Sequence, residues 1–107
     1  LMNSYAWDTA IVFIQEAGRT NYANKKDGNG TLKNTGATGD EVCKINDMAS
    51  NLLEWTTEYS TNTGNSAYPC NLRGGFYYGS NGCAAVGTNW IATRSTHYDG
   101  FRFSLYM

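Results

Sequence analysis

Hydrophobic positions fall into three patterned stretches separated by polar ones. From Ser4, the spacing of Trp7, Ala10, Ile11, Phe13, Ile14 and Ala17, with Asp8, Gln15 and Glu16 turned the other way, follows the helical period and predicts an amphipathic helix. Ser4 is placed to cap it and Gly18 to end it in a left-handed conformation. The aromatic residues of this helix are expected to pack in the core. The second stretch predicts a short strand from Val42 to Asn46, a turn through Asp47 to Asn51, and a strand in which Leu53, Trp55, Thr57 and Tyr59 alternate with Glu54, Thr56 and Glu58. In the third, Phe101, Phe103, Leu105 and Met107 alternate with Arg102, Ser104 and Tyr106, which predicts a half-buried strand with the apolar face inward.

The stretches between are polar and rich in glycine. Residues 19–40 read as a long surface loop with a short hairpin around Asp27-Gly28-Asn29-Gly30. Asp27, Asn29 and Thr31 begin like a calcium loop, but Leu32 stands where that loop needs glycine and Thr38 where it needs a bidentate glutamate. The glycines at 36 and 39 lack the Lys-Ser/Thr of a phosphate loop, so no nucleotide site is expected. The run from Leu72 to Met107 opens with Arg73-Gly74-Gly75, two glycines where backbone must bend or be approached closely, and closes with Gly100-Phe101-Arg102. Between them FYYGSNGCAAVGTNWIATRSTHYD has no period and reads as an irregular surface held by a rigid scaffold, with Phe76, Ala84, Ala85 and Val86 folded inward.

A chain of 107 residues is enough for one domain with one modest core, spanning 1–107. Its start runs straight into the helix pattern, so it reads as the C-terminal part of a longer protein. A net charge of −1 gives no basic footprint, so nucleic acid is not an expected partner. No apolar run approaches the roughly 20 residues of a membrane span. The three cysteines include no C-x-x-C pair. Cys43 and Cys70 flank one strand region and could pair, leaving Cys83 free; three reduced thiols are the alternative. Glu54, between Leu53 and Trp55, is a carboxylate set against a packed face and needs a partner, which Arg73, Arg102 or a calcium ion could supply.

Tyr77, Tyr78, Trp90, His97 and Tyr98, with Ser80, Asn81, Asn89, Thr93, Ser95 and Asp99, give the irregular run the composition of a paratope: rigid aromatic area beside adaptable hydrogen-bonding groups. These are the candidate ligand-binding residues. The aromatics could equally stack on sugar rings. No catalytic constellation is expected, because Ser95, His97 and Asp99 are alternate residues of one segment rather than a triad geometry, and no carboxylate pair stands apart from structural demands.

The ordered motifs DMASNLLEW, RGG and GFR resemble the C-terminal half of formylglycine-generating-enzyme-type domains, a branch of the C-type lectin fold, over residues 45–107. The resemblance implies an α+β fold with two helices, a small antiparallel sheet and long irregular loops, and structural roles for Trp55, Arg73, Gly74, Gly75, Gly100, Phe101 and Arg102. Family enzymes bind copper through two cysteines shortly after R-G-G; this chain has Cys83 alone, so oxidase activity is not expected. A structural calcium is the only cofactor the resemblance brings in, with Asn51 and Glu54 as the matching positions. Ser50 replaces the usual turn glycine, which requires a neighbour tolerant of left-handed backbone.

The motifs also resemble those of the variable proteins of diversity-generating retroelements. In these, asparagine codons between R-G-G and G-F-R are rewritten to NNY, which cannot encode Lys, Glu, Gln, Met or Trp. From Phe76 to Asp99 only Trp90 falls among those excluded residues. The resemblance therefore implies a variable ligand-binding region at 73–102, a protein or glycan ligand on a cell surface, and a place on a phage virion or bacterial surface. It is compatible with a homo-oligomer. An undiversified binding or structural domain of a phage tail, or a relative of the enzymes, are the other readings.

Overall fold

A computed structural model of the chain describes residues 1–27, 30–59, 67–79 and 82–104. Helix α1 spans Ser4–Glu16 and a single 3-10 turn spans Tyr22–Asn24. The strands are β1 Glu41–Val42, β2 Ile45–Asn46, β3 Leu53–Tyr59, β4 Cys70–Arg73, β5 Gly87–Trp90 and β6 Asp99–Phe101. The domain is α+β, with one α-helix among the described residues where the family pattern implied two.

The cap of α1 is Asn3 rather than Ser4: its Oδ1 accepts the Ala6 N–H at 2.8 Å, and the Ser4 hydroxyl donates to Glu58 instead. Gly18, at φ +102°, ends the helix as expected, and Arg19 N–H reaches back to the Ile14 carbonyl at 3.2 Å. The buried stripe runs through Trp7, Ile11 and Ile14. Phe13 lies about a third of a turn away from Trp7, and it and Ala17 are exposed rather than in the core. This stripe packs against Met2, Tyr22, Met48, Ala49 and Ala84, most of them loop residues.

Val42 to Asn46 is not one strand. β1 and β2 form a hairpin, Glu41 opposite Asn46 and Val42 opposite Ile45, closed by Cys43 and Lys44, both at positive φ. A two-residue turn whose twist matches its strands demands that conformation. The larger sheet has the order β5-β4-β3-β6. It is mixed rather than antiparallel, because β6 runs parallel to β3. β5 and β6 run in one direction at opposite edges, so residues 91–98 must cross the sheet and return along its length.

Register fixes the two faces. Glu54, Arg73, Gly87 and Gly100 line up on the face towards α1, and Trp55, Leu72, Thr88 and Phe101 on the outer face. The alternation expected along β3 holds only in its first half. Three residues, Thr56 to Glu58, stand opposite Asn71 alone; Thr56 Oγ1 donates to the Asn71 carbonyl, and Met2 bridges the two segments, its carbonyl accepting from the Thr57 N–H at 3.2 Å and its own N–H donating to the Arg102 carbonyl at 3.1 Å.

The last strand lies earlier than its sequence pattern predicts: β6 ends at Phe101, and beyond it the chain is irregular through Ser104, with the expected inward face turned out. Arg102 turns inward and Phe101 and Phe103 are 60% and 78% exposed, edge to face at 5.4 Å. The inward position is taken by the guanidinium because Glu54 waits there. Leu105, Tyr106 and Met107 lie outside the described residues, as do Gly28 and Asn29 of the expected hairpin.

Candidate functional site

Two arginine-bearing corners meet on Trp7, which is fully buried. Its indole Nε1–H donates to the Ala84 carbonyl at 2.9 Å, and the Arg102 guanidinium lies 5.3 Å from its ring centre. Arg102 grips both carboxylate oxygens of Glu54 and donates to the Asn46 carbonyl at 2.9 Å. The partner Glu54 requires is therefore Arg102; burial raises its carboxyl above the usual range, against the pull of that guanidinium. Arg73 instead pairs with Asp8 of α1 at 2.5 Å and donates to the Ala85 carbonyl at 3.2 Å.

Gly74 and Gly75 earn their places differently. Gly74 has φ +94°, and a Cβ there would meet the Met48 carbonyl at 2.8 Å and Trp7 at 2.9 Å. At Gly75 a Cβ would sit 2.0 Å from the Ala49 carbonyl oxygen. The corner thus needs both the bend and the close approach that two adjacent glycines allow.

The loop before β3 is built on two buried carboxylates that sequence inspection did not single out. Asp40 accepts from the Tyr22 hydroxyl at 2.8 Å, Lys25 Nζ at 2.6 Å, the Ala49 N–H at 2.9 Å and the Ser50 hydroxyl at 3.1 Å. Asp47 accepts from the Gly36 N–H and the Thr38 hydroxyl. Ser50 is buried, and Asn51, at φ +67°, supplies the left-handed residue that the missing glycine required. Burial opposes ionisation of Asp40, but Lys25, the Ala49 N–H and Tyr22 together hold its carboxyl below the ordinary 3.8. Burial, then the charge of Asp40, pushes the Tyr22 phenol far up.

A depressed carboxyl adds stability above its unfolded pKa, and that stability is lost as pH falls through the folded value. The urea midpoint of the wild type is therefore expected to fall below about pH 4, and to fall less steeply in Asp40→Asn. Equal slopes in the two proteins would remove Asp40 from the acid transition.

The irregular run is tied to this frame through its backbone. Tyr77 N–H donates to the Asn51 carbonyl at 2.9 Å and the Tyr77 carbonyl accepts from Gly30 at 2.7 Å. Ala84 and Ala85 bond to Lys25 and Ala23, and the Tyr98 carbonyl accepts from Leu53 at 2.9 Å. With the main chain fixed, the side chains cluster outward. Tyr78 stacks on Tyr98 with ring centres 5.2 Å apart, Tyr77 lies 5.8 Å from Tyr98, and His97 packs on Tyr98 at 4.0 Å. Tyr78 is 68% exposed, His97 is exposed, and Tyr77 and Tyr98 are half-buried. Trp90, 37% exposed, carries the Arg94 guanidinium 4.1 Å from its ring centre and the Tyr68 ring at 6.0 Å.

Not every candidate joins this surface. Asp99 is a framework residue: its carboxylate takes both Nε and Nη2 of Arg94, at 2.7 and 3.0 Å, and its side chain is 4% exposed. Asn89 lies on the opposite face of the sheet, accepting from Asn71 at 3.0 Å, because it alternates with Thr88 and Trp90. Thr93 and Ser95 are exposed on the crossover. Ser80 and Asn81 lie outside the described residues. Of the framework set, Phe101 contributes backbone pairing but an exposed ring.

Arg94 was missed as an organiser, although its place between Trp90 and Asp99 was a usable signal. Asp8, outward by its helical position, is half of the Arg73 ion pair. Of the positions matched to calcium, Glu54 is occupied by Arg102 and Asn51 Oδ1 accepts from the Lys33 N–H at 3.1 Å. Cys43, Cys70 and Cys83 are free thiols. Among the described residues no helix is long and apolar enough to cross a membrane.

Fold and surface together define a small α+β domain, with one α-helix and two sheets among the described residues and an aromatic face shared between the β4–β5 loop and the β5–β6 crossover. No protein-family model, curated protein or solved structure matches the chain.

Proposed function

We propose that this domain is a ligand-binding module of the C-type lectin type whose 73–102 region is a diversified recognition surface of the retroelement kind. The observation that carries the proposal is the aromatic cluster in which exposed Tyr78 and His97 pack on half-buried Tyr98 beside Tyr77, on a main chain bonded to the frame. Such a backbone tolerates exchange of the outward side chains, since Tyr77 is bonded to Asn51 and Gly30, and the Tyr98 carbonyl to Leu53, from main chain to main chain. Large rings with few rotors give contact area at low entropic cost, as in antibody loops.

Trp90 is then a fixed anchor, because no NNY codon encodes it. The ligand is a protein or glycan of a cell surface, and the chain acts on a phage virion or bacterial surface, alone or as a homo-oligomer. No cofactor and no catalysis are part of this proposal.

The gene locus tests it. A near-copy of codons 73–102 beside a reverse transcriptase gene is expected, differing at codons that end in C or T in the expressed copy. A locus with neither element refutes diversification and leaves an undiversified binding domain. Oxygen-dependent turnover of a cysteine-containing peptide with added copper would overturn the binding reading in favour of an oxidase.

A further inference from the structure

Between the crossover and the outer face of the sheet lies a cleft of about 380 Å³. Its sheet side is formed by Leu53, Thr88 and Trp90, and its loop side by Phe76, Tyr78 and Tyr98, with Val86 and Arg94 at the margins. We propose that this cleft is a socket for one aromatic side chain of a protein ligand, flanked by the stacked tyrosines and by the Trp90–Arg94 pair. The inference rests on the binding reading above and names what that surface takes.

Three observations select the occupant. The volume is at the small end of the range for ligand pockets, about 300–1,000 Å³, which suits a single ring rather than an extended oligosaccharide. Among the described residues the lining is mostly ring and aliphatic carbon, and its neutral polar side-chain groups are the Thr88 hydroxyl, the Trp90 indole N–H and the two tyrosine hydroxyls. A sugar would leave most of its hydroxyls without partners there, at the cost of their desolvation. The single charged group is already neutralised, since Asp99 takes Nε and Nη2 of Arg94 in the guanidinium plane. An ionised ligand therefore finds no free countercharge. Among the described residues, what Arg94 still offers is Nη1 and the part of its planar surface that Trp90 does not cover, suited to a ring and to the carbonyl oxygen of its own backbone.

The test is a titration of the ¹⁵N-labelled chain, followed by amide, indole and guanidinium resonances. N-acetyl-tyrosinamide, N-acetyl-leucinamide and methyl mannoside serve as probes. N-acetyl-tyrosinamide is expected to move the Trp90 Nε1–H, the Arg94 Nε–H and the Val86 and Thr88 amides saturably, at least tenfold more tightly than either other probe. Val86→Phe, which fills the cleft from its margin, is expected to abolish those shifts while keeping the spectrum of a folded chain.

Shifts confined to Tyr78 and His97 would leave the recognition surface standing and overturn the socket. Saturable shifts with methyl mannoside at the same four groups would replace the aromatic occupant by a sugar. No response to any probe anywhere in residues 76–99 would count against both readings. Unchanged tyrosinamide binding in Val86→Phe would place the ligand elsewhere.

Discussion

Gly75→Ala is expected to destabilise the domain by about 3 kcal/mol or more, the upper part of the range for forcing volume into a packed site. The added methyl would sit 2.0 Å from the Ala49 carbonyl oxygen, a backbone atom that cannot swing aside. Ala49 is itself held by its N–H on Asp40 and buried in the core around Trp7. The clash therefore spreads into the carboxylate-centred loop. Gly18→Ala is the control: it has positive φ but nothing within 4 Å of the added atom, so only backbone strain of about 1–2 kcal/mol is expected. Tryptophan fluorescence against urea measures both, and a shift in midpoint at constant slope is the expected form. A Gly75→Ala protein no less stable than Gly18→Ala would mean that the corner is not the rigid joint described above.

Arg102→Met is expected to cost about 3–5 kcal/mol, because it leaves Glu54 buried and ionised with no partner. The side chain of Glu54 is 10% exposed, and burial already raises its carboxyl even with the guanidinium present. Most of that loss is the penalty of the stranded carboxylate rather than the worth of the pair. The double variant Arg102→Met, Glu54→Met is accordingly expected to recover most of the stability, as buried ion pairs replaced by apolar groups often do. Arg102→Met alone should also recover partly on acidification, since protonating the stranded Glu54 removes its charge. Additive losses in the double variant, measured by the same urea titration, would show that the two side chains do not act as a unit.

Both corners bear indirectly on the proposed recognition surface. The crossover from β5 to β6 starts beyond the strand that Arg73 anchors and ends at the strand that Arg102 follows. A loosened corner would let that crossover move, with Tyr78 and Tyr98 on it or beside it. Asp99 adds an internal clamp. It pins Arg94 against Trp90, so one ion pair orients two of the large groups at the cleft.

The local chemistry of this chain was legible in its residues. The helical period of Trp7, Ile11 and Ile14 fixed a core helix, because a 3.6-residue repeat admits no other regular reading. Two adjacent glycines announced a tight corner, and Glu54 announced a buried charge in need of a partner. The loop without a period, dense in tyrosine, serine and glycine, marked the surface that the frame holds outward.

Pairing was not legible. Whether β6 joined the sheet parallel or antiparallel depended on which edge it reached, and that choice lies between segments far apart in sequence. Phe101 and Phe103 had the pattern of an inward face, yet a buried ion pair with Glu54, 48 residues away, claimed the inward position for Arg102 and turned the rings out. Asp99 and Asn89 had the composition of contact residues, and only the sheet register and the position of Arg94 withdrew them from solvent. Periodicity and side-chain type are properties of neighbours along the chain, whereas the partner of a charge and the face of a strand are settled by long-range contact.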